Sequence, residues 1–211
     1  MRKSTILFLL TSVFASLSIS CGSNLVKGLT QTAVENQVFD SPYFSDPKTD
    51  YVYKTNISVY GNELSGIFIA KRIGENKHRV VFTTEFGNKL LDFEISEQDY
   101  KVNAIVEELD RKMLVKTLVQ DFRLLLREKY LIEKQFETGN YKVLQAKDGG
   151  NLNYLYVSKA DGKLAEIKHS SKRKEKISIT FSSENNIFAE KILIQHSNIQ
   201  LKIVFQYFKN Q

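Results

Sequence analysis

The chain has 211 residues, 42% of them hydrophobic, with 14 Phe, 10 Tyr and one cysteine, Cys21. That length allows one domain with a substantial core, and a lone thiol excludes an intrachain disulfide or a multi-thiolate zinc site. Thirty basic against 24 acidic residues give a formal net charge of +6, a mild surplus that argues against a nucleic-acid partner and leaves anionic lipid headgroups as charge partners.

At the N-terminus, Arg2 and Lys3 precede the uncharged run Thr5 to Ile19, "TILFLLTSVFASLSI". The run is shorter than the ~20 apolar residues of a spanning helix, and a charged start, an apolar middle and a small residue before the cut make residues 1–20 an export signal cleaved after Ser20. The stretch "LSISCGSN" resembles the lipobox of bacterial lipoproteins, although Leu17 stands one position earlier than the usual pattern. That resemblance implies acylation of Cys21 and attachment to a membrane through lipid; the alternative is an ordinary signal followed by an incidental thiol. Gly22 and Ser23 lack the aspartate that retains lipoproteins at the inner membrane in some bacteria, which favours a lipid-anchored place at the outer membrane of a bacterial cell envelope. Without residues 1–20 the chain has 28 basic and 24 acidic residues, a net charge of +4.

Residues 21–50 hold both prolines, Pro42 and Pro47, in a mostly polar context and are expected to form a flexible tether, with Leu29 to Val38 compatible with a short helix. From Tyr51 the pattern becomes that of strands. Tyr51 to Val59, Leu64 to Lys71, Arg79 to Phe86 and Leu90 to Ile95 alternate, separated by turn residues in "YGNE", "IGEN" and "FGN". Tyr100 to Val106 adds a fifth strand.

From Asp110 to about Glu128 the period changes. Lys112, Lys116, Gln120, Arg123 and Arg127 fall on one stripe, opposite a broad apolar arc that includes Leu114, Leu118, Phe122 and Leu125, which predicts a helix with Asp110 as N-cap. Six strands follow: Tyr141 to Ala146, Leu152 to Ser158, Leu164 to Ser170, Lys176 to Ser182, Phe188 to His196 and Ile199 to Phe208. "KDGGN", "KADGK" and "SSENN" mark turns between them.

The fold class is therefore mainly β with one principal α-helix. About eleven strands at ~4.8 Å spacing make a sheet about 50 Å wide, which a helix ~10 Å across cannot cover. The sheet must curl into an open half-barrel around an apolar hollow or split into a two-layer sandwich. The stretches "GIFIAKRIGENKHRVVFTTEFGNKLLDFEI" and "FAEKILIQHSNIQLKIVFQYF", within an order of five strands, a helix and a strand meander, resemble the LolA/LolB family of lipoprotein carriers and outer-membrane receptors. The resemblance covers residues 51–211. It implies a curved antiparallel sheet forming an open half-barrel with a helical lid, whose apolar cavity holds the acyl chains of lipid or acylated protein cargo. The residues expected to line it are Val80, Phe82, Phe86, Ile177, Ile179, Phe181, Leu201, Ile203 and Phe205 from strands, and Leu118, Phe122 and Leu125 from the helix; the alternative for each, and taken singly the favoured one, is an ordinary core position.

The receptors of that family present an exposed apolar residue on a protruding loop. Here the resemblance places that role on Ile73, between Lys71 and Arg72 and the later cations of "KRIGENKHR", as a membrane contact. A second cluster, Lys168, Lys172, Arg173, Lys174 and Lys176, occupies a predicted turn, where it either meets anionic lipid or is solvated. His78, His169 and His196 are scattered, and the sequence contains no GxSxG, HExxH or GxxxxGK motif. The reading is of a non-enzymatic protein with no cofactor, binding hydrophobic cargo; the alternative is an envelope lipoprotein with a dry core that docks a protein partner.

Overall fold

The structure, a computed structural model, describes residues 24–172, 174–184 and 188–208. The export signal and Cys21 lie outside the described residues, as does Arg173 of the second basic cluster. In chain order the described elements are β1 (Thr30–Thr32), β2 (Val38–Asp40), β3 (Tyr51–Val59), β4 (Asn62–Gly74), β5 (Lys77–Thr83), β6 (Lys89–Ser96), β7 (Tyr100–Ile105), the helix α1 (Lys112–Leu126), β8 (Lys129–Glu137), β9 (Tyr141–Asp148), β10 (Asn151–Ser158), β11 (Leu164–Ser171), β12 (Lys174–Ser182), β13 (Lys191–His196) and β14 (Leu201–Tyr207).

All strand pairings are antiparallel. The sheet order is β1-β8-β9-β10-β11-β12-β13-β14-β3-β4-β5-β6-β7, with β2 pairing β8 as well. Two meanders, β3 to β7 and β8 to β14, are thus joined where β14 lies against β3, from Leu201↔Val59 to Tyr207↔Tyr53. No pairing links β7 to β1, so the curved sheet stays open, the half-barrel with a helical lid expected from the sequence. The β3–β4 hairpin shows why the turns were readable: its two-residue loop, Tyr60 and Gly61, has positive φ at both positions (47° and 87°), the geometry that matches strand twist.

Among the described residues the sheet has fourteen strands where the sequence predicts eleven; β1, β2 and β8 are the additional ones. β8 follows α1 after two residues, and its register shifts between Ile132 and Lys134. A bulge changes which alternate residues face inward, so Tyr130 and Ile132 are buried and then Gln135 and Phe136, a pattern that no single period describes. The flexible tether expected over residues 21–50 is overturned for its described part. β1 and β2 pair with β8, and Leu25, Val26 and Leu29 pack on a cluster of Phe136, Val143 and Tyr154. The Tyr43 ring stacks on Phe181 with centroids 4.7 Å apart, and its hydroxyl donates to the Leu164 carbonyl at 3.2 Å. Two aromatic anchors, Tyr43 and Phe44, outweigh the polar average of the segment, because an aromatic side chain buries 150–250 Å2.

Inside the curve, α1 lies on the concave face. Phe122 meets Phe68 at 5.4 Å between centroids, and Phe68 meets Phe205 edge-on at 5.0 Å. Nine of the fifteen helix residues are buried, too many for a lid touching one surface, so the helix fills the hollow it covers. Its N-cap is Arg111, with extended backbone and no side-chain cap, instead of the predicted Asp110. Asp110 is held in the preceding turn, where its N–H donates to the Val106 carbonyl at 3.0 Å.

One position in β4 tolerates no side chain. A Cβ on Gly66 would stand 1.9 Å from the Thr83 carbonyl oxygen of β5, beside the β5–β6 register shift at Phe82 and Thr83. Gly66→Ala is expected to destabilise by about 3 kcal/mol through forced separation of the two strands, read as a lowered urea midpoint; an unchanged midpoint would show that the strands can part freely.

Candidate functional site

Eleven of the twelve expected lining residues, Val80, Phe82, Leu118, Phe122, Leu125, Ile177, Ile179, Phe181, Leu201, Ile203 and Phe205, belong to one buried cluster. The structure brings them together, with helix side chains occupying the concavity. Phe86 does not join them. It is 94% exposed, because β5 ends at Thr83 and the turn is closed by Gly87 N–H to Thr84 O (3.0 Å) and Thr84 N–H to Asn88 O (2.8 Å), which carries Phe86 out of strand register.

Polar contacts hold α1 in place at several points. Asp121, wholly buried, contacts His196 of β13 (Oδ2 to Nε2, 2.9 Å), and burial pushes its carboxyl up to about 6 although His196 opposes the shift. Gln120 reaches His169 Nε2 at 2.9 Å, and His169 Nδ1 reaches Asn153 at 2.7 Å. Burial depresses the His169 pKa, so this ring is a neutral link between helix and sheet. Arg123 Nε donates to the Ser96 carbonyl at 2.7 Å, and Arg127 pairs with Asp148 at 3.0 Å while lying over the Tyr130 ring.

Beside the last turn of α1 opens a cavity of about 440 Å3, between the β4–β5 hairpin, the end of β6 and the start of β8. Its lining includes Phe122, the one expected lining residue it shares, together with Ile95 and Leu126. Its polar wall includes Arg72, His78, Arg123 and Glu128. Glu128 pairs with Arg72: its Oε2 accepts from Nη1 at 3.3 Å, and its Oε1 lies 3.1 Å from the same nitrogen without an aligned hydrogen bond. His78 is only 8% exposed; burial, assisted by Arg72, pushes it down to about 4, so it is neutral at pH 7. Of five buried side-chain polar atoms without a hydrogen-bond partner among the described residues, three belong to this wall: His78 Nε2, Arg123 Nη2 and Glu128 Oε1. In sequence, His78 is one of three scattered histidines and Glu128 an acid at a helix end; only the curl of the sheet joins them.

Ile73 lies at the end of β4 and is 42% exposed. Its neighbours are not free cations, since Lys71 pairs with Asp50 at 3.1 Å and Arg72 with Glu128. In the second basic cluster, Lys168 is shared between Glu166 and Glu175 at 3.7 and 3.4 Å. Among the described residues no group of His, Cys, Asp and Glu is arranged to hold a metal ion, and no helix is long and apolar enough to cross a membrane.

An open, strongly curved antiparallel sheet with one helix in its concave face defines the class of LolA-like half-barrels. Among solved structures, a LolA superfamily protein from Nitrosomonas europaea is similar with a TM-score of 0.51 at 9% identity, over 80% of this chain and 88% of its own. A domain described as outer membrane lipoprotein-sorting from Vibrio parahaemolyticus has a TM-score of 0.46 at 8% identity, over 75% and 83%. A DUF1329 family protein from Desulfovibrio piger has 0.43 at 11%, over 78% and 85%. No family model matches the sequence, and no curated protein matches it.

Proposed function

We propose that this protein is a non-enzymatic lipoprotein of the bacterial cell envelope, anchored through Cys21, and a carrier whose α1 gives way to the acyl chains of lipid or acylated protein cargo. The observation that carries the reading is the filling of an unclosed sheet's apolar concavity by a single helix. Leu118, Phe122 and Leu125 occupy space that hydrocarbon chains would fill with the same chemistry, and burial of each methylene is worth about 0.8 kcal/mol to the incoming chain. The likeness of fold to the LolA superfamily supports this use of the concavity, and transfer toward the outer membrane is its natural setting.

Native mass spectrometry of residues 22–211 purified from a bacterial periplasm without detergent, followed by extraction and lipid identification, tests the carrier. Stoichiometric lipid that is lost in a folded Ile203→Asp variant is the expected result. A folded protein free of lipid that also takes up no acyl probe would favour the second reading, a dry-core envelope lipoprotein docking a protein partner. That reading draws on the same concavity, which the helix leaves filled.

For membrane contact we assign to Phe86 the role that the family resemblance gives to Ile73. The two turns lie at opposite ends of the seven-residue β5, about 23 Å apart, so they cannot dip into one leaflet together. The more exposed aromatic ring, on a hairpin tip, is the better wedge. Phe86→Ser is expected to weaken binding to lipid vesicles at least fivefold in a flotation assay while leaving the urea midpoint unchanged, and Ile73→Ser to do neither; the reverse order would return the role to Ile73.

A further inference from the structure

The cavity beside the end of α1 carries an inference that rests on the carrier reading and sharpens it to a class of cargo. Its charged wall is balanced. The cations Arg72, Arg123, Arg127 and Lys129 face the acids Glu75, Glu97 and Glu128, with Asp148 paired to Arg127 from outside. Two buried atoms of opposite demand stand without hydrogen-bond partners: Arg123 Nη2 must donate, and Glu128 Oε1, which lies 3.1 Å from Arg72 Nη1 without an aligned hydrogen bond, must accept. His78 Nε2, on a side chain nine-tenths buried, stands 3.9 Å from Glu128 Oε1 and is also without a hydrogen bond. Three such atoms gathered in one cavity are a mark of a missing polar group, since buried polar atoms are almost always satisfied.

A purely anionic group would satisfy Arg123 but crowd the Glu128 carboxylate, and a purely cationic one would do the opposite. The last turn of a helix carries partial negative charge, which also favours a positive group next to it. We infer that this cavity holds the head group of a zwitterionic amphiphile, with its oxyanion on Arg123 and its ammonium on Glu128, and with its chain leading past Ile95, Phe122 and Leu126 into the core. The three apolar residues belong to the lining of the cavity and to the main buried cluster alike, so the head-group site abuts the helix-filled concavity.

The test uses the full chain in a non-ionic detergent, titrated with lysophosphatidylethanolamine, with lysophosphatidylglycerol of the same chain length, and with free glycerophosphoethanolamine, binding being read by native mass spectrometry. The zwitterionic lysolipid is expected to bind at least tenfold more tightly than the anionic one, the worth of one charge-assisted hydrogen bond at a buried partner. Glu128→Gln is expected to bring that ratio to within about twofold. Arg123→Gln, which keeps a donor near the Ser96 carbonyl, serves as the second variant and is expected to weaken both lysolipids alike, since both carry the phosphate, and to leave the ratio unchanged. Equal binding of both lysolipids by the parent chain would overturn the head-group inference and leave the carrier reading standing. Failure to bind either lysolipid would overturn the carrier reading and this inference with it. Binding of the free head group as tightly as the lysolipid would uphold the zwitterion pocket and overturn its lipid source.

Discussion

Replacing Phe122 by alanine is expected to destabilise the unliganded protein by 3–5 kcal/mol, the usual loss for a fully buried aromatic side chain. The ring lies against Phe68 and closes the inner end of the cavity beside α1, so no neighbour can collapse into the space without breaking the aromatic contacts to Phe205 behind it. If cargo displaces the helix, the same substitution makes displacement easier, because the undocking that binding must overcome has become less costly. Affinity for a fluorescent dodecanoic acid probe is then expected to rise at least tenfold as stability falls. Urea unfolding and probe titration on the same preparation check both halves. A loss of stability with unchanged affinity would show that the helix is a permanent part of the core and that acyl chains do not take its place.

Asp121→Asn is expected to act in the opposite direction, raising stability by about 2–3 kcal/mol at pH 8 and hardly at all at pH 3. Burial holds the Asp121 carboxyl near 6, above the ~3.9 of an unfolded chain. Below both values the group is protonated folded and unfolded alike and contributes no difference. Between about 4 and 6 the unfolded chain ionises first, so the folded state loses ground as pH rises, and above 6 the whole penalty is in force. The amide removes the penalty while still offering His196 Nε2 a partner, and it places no charge on the oxygen position that lacks a hydrogen bond. Thermal unfolding of parent and variant across this pH range measures the difference. A constant difference at every pH would mean that Asp121 does not titrate in that window. The acid at this position therefore ties stability of the helix to pH, and a milder acidity than that of an ordinary carboxylate is enough to relieve it.

Much of this fold was legible because its strands obey one period at a time. β3 alternates strictly, with Tyr51, Tyr53, Thr55, Ile57 and Val59 buried along one face, and its predicted bounds match those found. β8 was not legible, because its helix-like start runs on from α1 and a bulge then changes its phase. The candidate lining was legible as apolar residues on one face, since burial selects them whether the space beyond holds helix or cargo; Phe86 misled because alternation was carried three residues past the end of its strand. The wall of His78, Arg123 and Glu128 left no sequence signal. Those residues come from β5, from α1 and from the junction before β8, and their proximity depends on how tightly a sheet of fourteen strands curls, which no local pattern encodes.

The packing of Leu25 and Val26 on the Phe136, Val143 and Tyr154 cluster also sets a length. Were Cys21 acylated as proposed, a 30-residue stem after it would have allowed the domain to roam about 100 Å, whereas docking at Leu25 leaves four residues, at most about 14 Å of chain. On the anchoring proposed above, a domain held that closely would not shuttle across an aqueous gap. It would ride on its own bilayer as a fixed station, receiving its guest from a mobile partner or from the leaflet beneath and handing it on within arm's length.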